Sequence, residues 1–391
     1  MGPLDGIRVL DFTRVVAGPL ATRILADQGA EVIKIEPPEG DMSRTFPPVD
    51  GDGLSPYFAQ QNSGKRFCSL DLGVDGGPDL ARELLATCDV VVENFRPGVM
   101  DRFGLGPAAM CERYPTLVYC SITGFGQTGP WANRRAYAPI GHLESGLMEY
   151  DRRKIGREPK QPAIVLGDAI TATMAAGAIS SMLVQAARTG VGGPLDVCMV
   201  ESMVYIQEWA STELAGGWSH AANAGSCQES PMLHLPDGRI WGLGGNPVAW
   251  FEPITVAMDR SDLLTDPRFA RPEDRFANRE QLIDIITEWA ASFGSFEEFL
   301  HRVESTSPFT AAELRSIDEL AQSDWARERN LFTDTSMGVA VPTRSAGGAG
   351  IGTTGRVAAR GADNADVLGQ LLGLDADAVG GLAARGVLSS A

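Results

Sequence analysis

A chain of 391 residues with 50 acidic and 33 basic side chains carries a net charge of −17, and 44% of it is apolar. That length exceeds what one hydrophobic core usually serves, so two domains are expected, and the acidic balance argues against a nucleic-acid-binding face. Six widely spaced cysteines and four histidines outline neither a disulfide framework nor a metal site, and no signal peptide or apolar run near the ~18 residues needed to span a bilayer is read, which predicts a cytoplasmic, metal-free protein without a membrane partner.

The apolar run Ile7 to Phe12 predicts a strand that enters a Gly18-Pro19 turn and a small-residue helix, and Gly29 then leads to a second strand, Glu31 to Ile35. This is a complete βαβ unit, the element of a parallel sheet, although its turn lacks the G-x-G-x-x-G dinucleotide fingerprint. Further strands are predicted at Phe67 to Leu72, Asp89 to Glu93 and Leu117 to Thr123, with a helix over Asp79 to Thr87. Such short apolar runs between helices point to a sheet buried on both faces. Ala163 to Leu166 reads as strand-like, and a long helix follows from about Ala169 to Ala187.

Gly190 to Pro194 reads as a turn-rich break. Beyond it, Gly- and Ala-rich sequence around Gly216 and Gly225 leads to a hairpin signal at His234 to Arg239 and helical patterns at Arg279 to Ala291 and Phe296 to Val303. Helices are predicted again over Asn364 to Leu372 and Asp375 to Arg385. The resulting division is a large α/β domain over 1–195, a linker over 196–224, a small α+β domain over 225–330 and a C-terminal segment over 331–391.

The opening Gly6 to Thr22 resembles the N-terminus of the class III CoA-transferases, the family of the carnitine and bile-acid CoA-transferases, formyl-CoA transferase and the α-methylacyl-CoA racemases. The resemblance continues through Gly40-Asp41 with Arg44, Asn62 to Arg66, Val92 to Gly98, Gly124 to Pro130 and Gly167-Asp168. It implies a Rossmann-like domain completed by the C-terminal segment, an interlocked homodimer, and coenzyme A or acyl-CoA as substrate rather than as a permanently bound cofactor. The partners it implies are an acyl-CoA and a small carboxylic acid.

Asp168 is the leading candidate for chemistry, and its spacing alone leaves two readings: a helix N-cap, or a carboxylate kept ionised at a helix start. The resemblance implies a nucleophile that forms an acyl-aspartyl anhydride and then an aspartyl-CoA thioester. Gly244 and Gly245, in Gly242 to Asn246, are either a tight turn or backbone donors for an oxyanion, and the resemblance implies a shielding glycine loop. Lysine is scarce (Lys34, Lys65, Lys154 and Lys160), so most cationic work falls to arginine. For CoA, Lys65, Arg66, Arg96 and Arg102 stand at strand ends, where ligands of parallel sheets bind. The resemblance places Val16 and Ala17 along the pantetheine, Asn94 and Phe95 at its thiol end and Arg102 at the nucleotide; Tyr137, at the start of the region that would shape the acyl pocket, is a further candidate for the CoA site.

Pro37 and Pro38 stand where the family often has a base. Tyr137 and Ala138 occupy the positions of the racemases' His-Asp pair, which disfavours α-proton removal. Ala138 also replaces an acidic residue common in the transferases, while His142 reads as packing or a local hydrogen bond. The alternatives to a CoA-transferase are therefore a racemase-like enzyme, an acyl-CoA hydrolase or a non-catalytic CoA-binding protein.

Overall fold

The computed structural model describes residues 1–49, 55–155, 158–216 and 230–389. The chain forms two compact units, one of residues 1–208 with 324–391 and one of residues 209–323. The linker expected over 196–224 and the small-domain start expected at 225 fall partly on residues 217–229, outside the described residues.

The larger unit is built on six parallel strands: β1 (Arg8–Asp11), β2 (Glu31–Glu36), β3 (Arg66–Ser69), β4 (Val90–Glu93), β5 (Val118–Thr123) and β6 (Gly193–Cys198), in the order β3-β2-β1-β4-β5-β6. Strand periodicity sorts neighbouring residues onto opposite faces. Leu10, Ile33, Val91 and Tyr119 pack on one face with Leu80 and Leu84 of the Gly77–Leu85 helix and with Val367, Leu368, Val387 and Leu388 of the C-terminal segment. Val9, Val32, Val90, Val92 and Val118 pack on the other with Ala21 and Leu25 of the Ala17–Asp27 helix and Ala172, Ala175 and Ile179 of the Leu166–Thr189 helix. Each fully buried Val, Leu or Ile contributes roughly 1.5–3 kcal/mol to this two-faced core. The parallel α/β fold read from sequence is therefore present, C-terminal segment included.

Three local expectations are corrected. Gly190 to Pro194 is not simply a break, because β6 starts at Gly193 and pairs along six residues with β5. Pro194 is tolerated there because β6 lies at the edge of the sheet, where a missing N–H costs no ladder bond. Ala163 to Leu166 is no strand: Ile164 is 65% exposed and the chain enters a helix at Leu166. That helix has 24 residues with a mean hydropathy of 1.4 over its best 18, an apolar stretch longer than expected, and its alanine-rich face is buried against the sheet and the Ala17–Asp27 helix.

The opposite edge, β3, is closed by the C-terminal segment: the Asp363 carboxylate accepts from the Phe67 N–H (2.6 Å) and the Asn364 amide oxygen from the Ser69 N–H (2.9 Å). An otherwise open strand edge is thereby satisfied.

The smaller unit carries an antiparallel sheet of β7 (Met232–His234), β8 (Ile240–Gly244) and β9 (Thr310–Glu313), in that order. Its core centres on Trp241, stacked on Phe299 with ring centroids 5.0 Å apart. Gly242 to Gly244 continue β8 rather than turning after Trp241. At Gly245 (φ +139°) an added Cβ would lie 2.5 Å from the Phe309 ring, so both conformation and space require glycine.

Candidate active site

The order of the large sheet reverses between β1 and β4, and ligands of such sheets bind where strand ends diverge. The loop that follows β1 is held from several sides. The Thr13 N–H and hydroxyl donate to the Asp11 carboxylate (2.9 and 2.5 Å). The Asn94 side chain, just past β4, accepts from the Arg14 N–H and donates to the Arg14 carbonyl, both at 2.9 Å. Val15 takes φ +69°, costly by about 1–3 kcal/mol for a β-branched residue, and its N–H points at Asp41 (3.2 Å). The Ala17–Asp27 helix then begins so close to Thr13 that a Cβ on Gly18 would fall 2.2 Å from the Thr13 Cβ.

This frame aims one amide at Asp168. The half-buried carboxylate lies near the backbone N–H of Ala17, the first residue of its helix, and that of Ala138, the first residue of the Ala138–Glu144 helix, and both amides pull its pKa down. Asp168 is itself the third residue of the Leu166–Thr189 helix, whose N-cap is Val165. The cap reading is thus corrected: Asp168 lies inside the first turn rather than at the N-cap, and its carboxylate lies near the starts of two other helices. Burial raises its pKa above the ordinary value, against the pull of the two amides. Among the described residues it has no ion-pair partner.

Asp168 opens into a cavity of about 640 Å³ lined also by Val16, Ala17, Asn94, Phe95, Arg96 and Tyr137. Those expected positions are brought together. Three expected cations are not. Lys65 is fully buried, and its ammonium donates to Asp11 (2.9 Å), the Pro19 carbonyl (2.9 Å), Thr22 (2.8 Å) and Asn62 (2.9 Å), leaving nothing for a ligand. Arg66, read beside it, pairs with Glu31 and Asp366 across the sheet edge. Arg102 is exposed on the short Val99–Arg102 helix and is absent from the lining. Gly244 and Gly245 belong to the smaller unit, where Gly244 pairs with Thr310 and the Gly245 N–H donates to the Ser230 hydroxyl (3.1 Å).

In their place stand cations that sequence reasoning passed over. Arg14, Arg134 and Arg135 line the cavity beside Arg96. Arg134 pairs with Glu144 and lies over the Phe125 and Trp131 rings, 4.5 and 4.9 Å from their centroids. Arg14, Arg96 and Arg135 have no carboxylate partner among the described residues; Arg14 rests over Phe95 (5.2 Å) and its Nε is buried without a hydrogen bond. Four arginines about one aspartate make a cationic pocket in an acidic protein, and cleft charge of this kind governs ligand choice locally. The detectable signal was the Arg134-Arg135 pair just ahead of Tyr137.

His142 is more than packing. It is 1% exposed, its Nε2 accepts the Gly167 N–H (3.1 Å), and its Nδ1 lies 2.8 Å from the Gln161 amide oxygen. At position 138 the backbone N–H meets Asp168 while the alanine side chain is fully buried.

A half-buried carboxylate in a cationic cavity at the switch point accords with the comparison to known proteins. Residues 4–359 match the family described as CoA-transferase family III. The chain belongs to that family. It is 35% identical over 293 residues to the succinyl-CoA:glutarate CoA-transferase of Mus musculus, covering 73% of this chain and 66% of that protein. With the succinyl-CoA–D-citramalate CoA-transferase of Chloroflexus aurantiacus it shares 31% over 397 residues, 99% of this chain and 98% of the relative. A solved CAIB/BAIF family protein from Brucella suis superposes with a TM-score of 0.80 at 29% identity, covering 95% of this chain and 99% of that one. Family III membership gives the switch-point cavity its context: CoA and its thioesters are the ligands to consider there.

Proposed function

We propose that this family III member transfers CoA from an acyl-CoA to a carboxylic acid, with Asp168 as the nucleophile and short dicarboxylic acids as the substrate class. The observation that carries the reading is the Asp168 carboxylate itself, beside two helix-start amides, without an ion-pair partner among the described residues, and facing a cavity lined by four arginines. A carboxylate whose pKa is raised by burial is a better nucleophile than one neutralised by an ion pair.

One Asp168 oxygen attacks the thioester carbonyl, and the C–S bond breaks to give an acyl-aspartyl anhydride and CoA thiolate. The thiolate attacks the Asp168 carbonyl, which releases the donor's acid as a carboxylate and leaves an aspartyl-CoA thioester. The acceptor carboxylate attacks that thioester, forming a second anhydride and freeing the thiolate again. Attack of the thiolate on the acceptor's carbonyl gives the new acyl-CoA and restores the carboxylate. No proton is required and no external energy source enters.

The Ala17 and Ala138 amides orient the attacking carboxylate, while exposed Arg96 and Arg135 suit CoA phosphates. Arg14, half-buried beside Phe95, suits the second carboxylate of a dicarboxylic acyl group. The names of the two relatives, with succinate, glutarate and citramalate, support that class. The test is intact mass after incubation with succinyl-CoA and other acyl-CoAs, with hydroxylamine or borohydride, for wild type and Asp168→Ala. A hydroxylamine-sensitive adduct in wild type alone, consumed on adding glutarate, is expected. CoA binding without an adduct from any donor would overturn the nucleophile.

A further inference from the structure

We propose that His142 is a positioning residue: its Nε2 holds the Gly167 N–H and thereby fixes the helix turn that carries Asp168. This rests on the reading of Asp168 as the nucleophile. The first amides of a helix have no acceptor within it, and Gly167 is the second residue of the Leu166–Thr189 helix. Its N-cap residue is Val165, whose side chain accepts nothing. A buried imidazole from the Ala138–Glu144 helix supplies the missing acceptor at 3.1 Å. The same helix brings the Ala138 N–H near the Asp168 carboxylate, so it stands beside both the carboxylate and the residue before it.

The tautomer follows from a chain of hydrogen bonds. The Gln161 Nε2 donates to the Pro139 carbonyl (3.2 Å), which turns the amide oxygen towards the ring. That oxygen accepts from His142 Nδ1 at 2.8 Å, so the ring proton is on Nδ1 and the Nε2 lone pair faces Gly167. Both nitrogens are committed inside the protein, and neither remains for proton transfer to substrate. Gly167 fits closely as well, since an added Cβ would lie 3.1 Å from the Met199 sulfur and 3.4 Å from the Ala138 Cα. Loss of the acceptor would let the turn shift, and a displacement of about 1 Å at a reacting group costs on the order of 100-fold in rate.

Two substitutions separate this role from acid-base chemistry. His142→Gln retains an acceptor oxygen near the Nε2 position but cannot titrate near neutral pH, whereas His142→Leu keeps apolar bulk without an acceptor. With both variants shown folded by circular dichroism and thermal melting, His142→Gln is expected within ~3-fold of wild-type kcat. His142→Leu is expected to lose roughly 10- to 100-fold in kcat with KM for the acyl-CoA nearly unchanged. Equal impairment of both variants, or full activity of both, would overturn the proposal. A second readout does not depend on transfer activity. In ¹⁵N-histidine-labelled protein, with four histidines in the chain, the imidazole signals that vanish in His142→Gln should show the Nδ1–H tautomer. An Nε2–H tautomer would overturn the assignment even if the transferase reading stood.

Discussion

Two sets of carboxylates lie near the same end of the large sheet, and they are treated in opposite ways. Asp11 and Asp41 are buried against lysines: Lys65 lies 2.9 Å from Asp11, and Lys34 lies 3.0 Å from Asp41. Burial alone would raise both acids, but Lys65 and Lys34 bring Asp11 below its ordinary value, and Lys34 with the Ser43 amide brings Asp41 to about 2. Burial in turn pushes the Lys65 ammonium down to about 8. Asp168 has no lysine or arginine beside it in an ion pair among the described residues, and burial moves its pKa up against the pull of nearby amides and of His142. The first set holds the loop after β1 in shape. In the proposed mechanism Asp168 needs its electron pairs for a carbonyl, and a carboxylate that a lysine neutralises is a weak nucleophile.

The comparison is broken most severely at its reactive member. Asp168→Asn is expected to lower kcat by at least ~10³-fold, measured as acceptor-dependent acyl-CoA formation. Its stability should move the other way. A raised folded-state pKa means that the native state binds the proton more tightly than the unfolded one, so stability falls as pH rises past the ordinary carboxylate range. At pH 7.5 the variant should melt no lower than wild type, and a fall of several degrees would show Asp168 to be structural.

Lys65→Met tests the other set. Leaving Asp11 buried without its partner should cost about 3–5 kcal/mol in chemical denaturation while leaving KM for acyl-CoA within ~2-fold. A tenfold higher KM at unchanged stability would return Lys65 to the ligand.

Glu93, at the end of β4, extends the comparison to a third environment. Burial raises it to about 7 from 4.5, with Asp101 and Asp196 adding to the rise. Its cost to stability therefore grows as pH rises from 4.5 through 7 and is complete above. Glu93→Gln should gain up to about 3 kcal/mol at pH 8 and little near pH 5, from 1.36 kcal/mol per pKa unit. An equal gain at both pH values would contradict this sign. The smallest effect is expected at the cavity arginines: Arg96→Ala and Arg135→Ala should raise KM for the CoA donor ~3- to 10-fold while shifting stability by no more than about 0.5 kcal/mol.

The sheet was legible because its central strands are continuous apolar runs such as Val90-Val91-Val92, which only a two-faced core explains. β6 was not, because Gly193 and Pro194 open it and only its edge position makes them acceptable. Lys65 was misplaced because its counter-ion is 54 residues earlier, and nothing local distinguishes a buried lysine from a ligand-binding one. Asp168 stood out through its Gly-Asp context, but the helix begins at Leu166 without a polar cap because the acceptor comes from His142, 25 residues away from Gly167. Arg14 and Arg135 become significant only when folding leaves them without partners in one cavity.

Sealing of β3 by Asp363 and Asn364 has a consequence for biosynthesis. The amides of Phe67 and Ser69 wait for side chains made almost 300 residues later, so during translation the sheet keeps an open edge until Asp363 and Asn364 have been made. Contacts of such long sequence separation form slowly, and the nascent protein is exposed to strand-to-strand association until the segment that carries Asp363 and Asn364 leaves the ribosome.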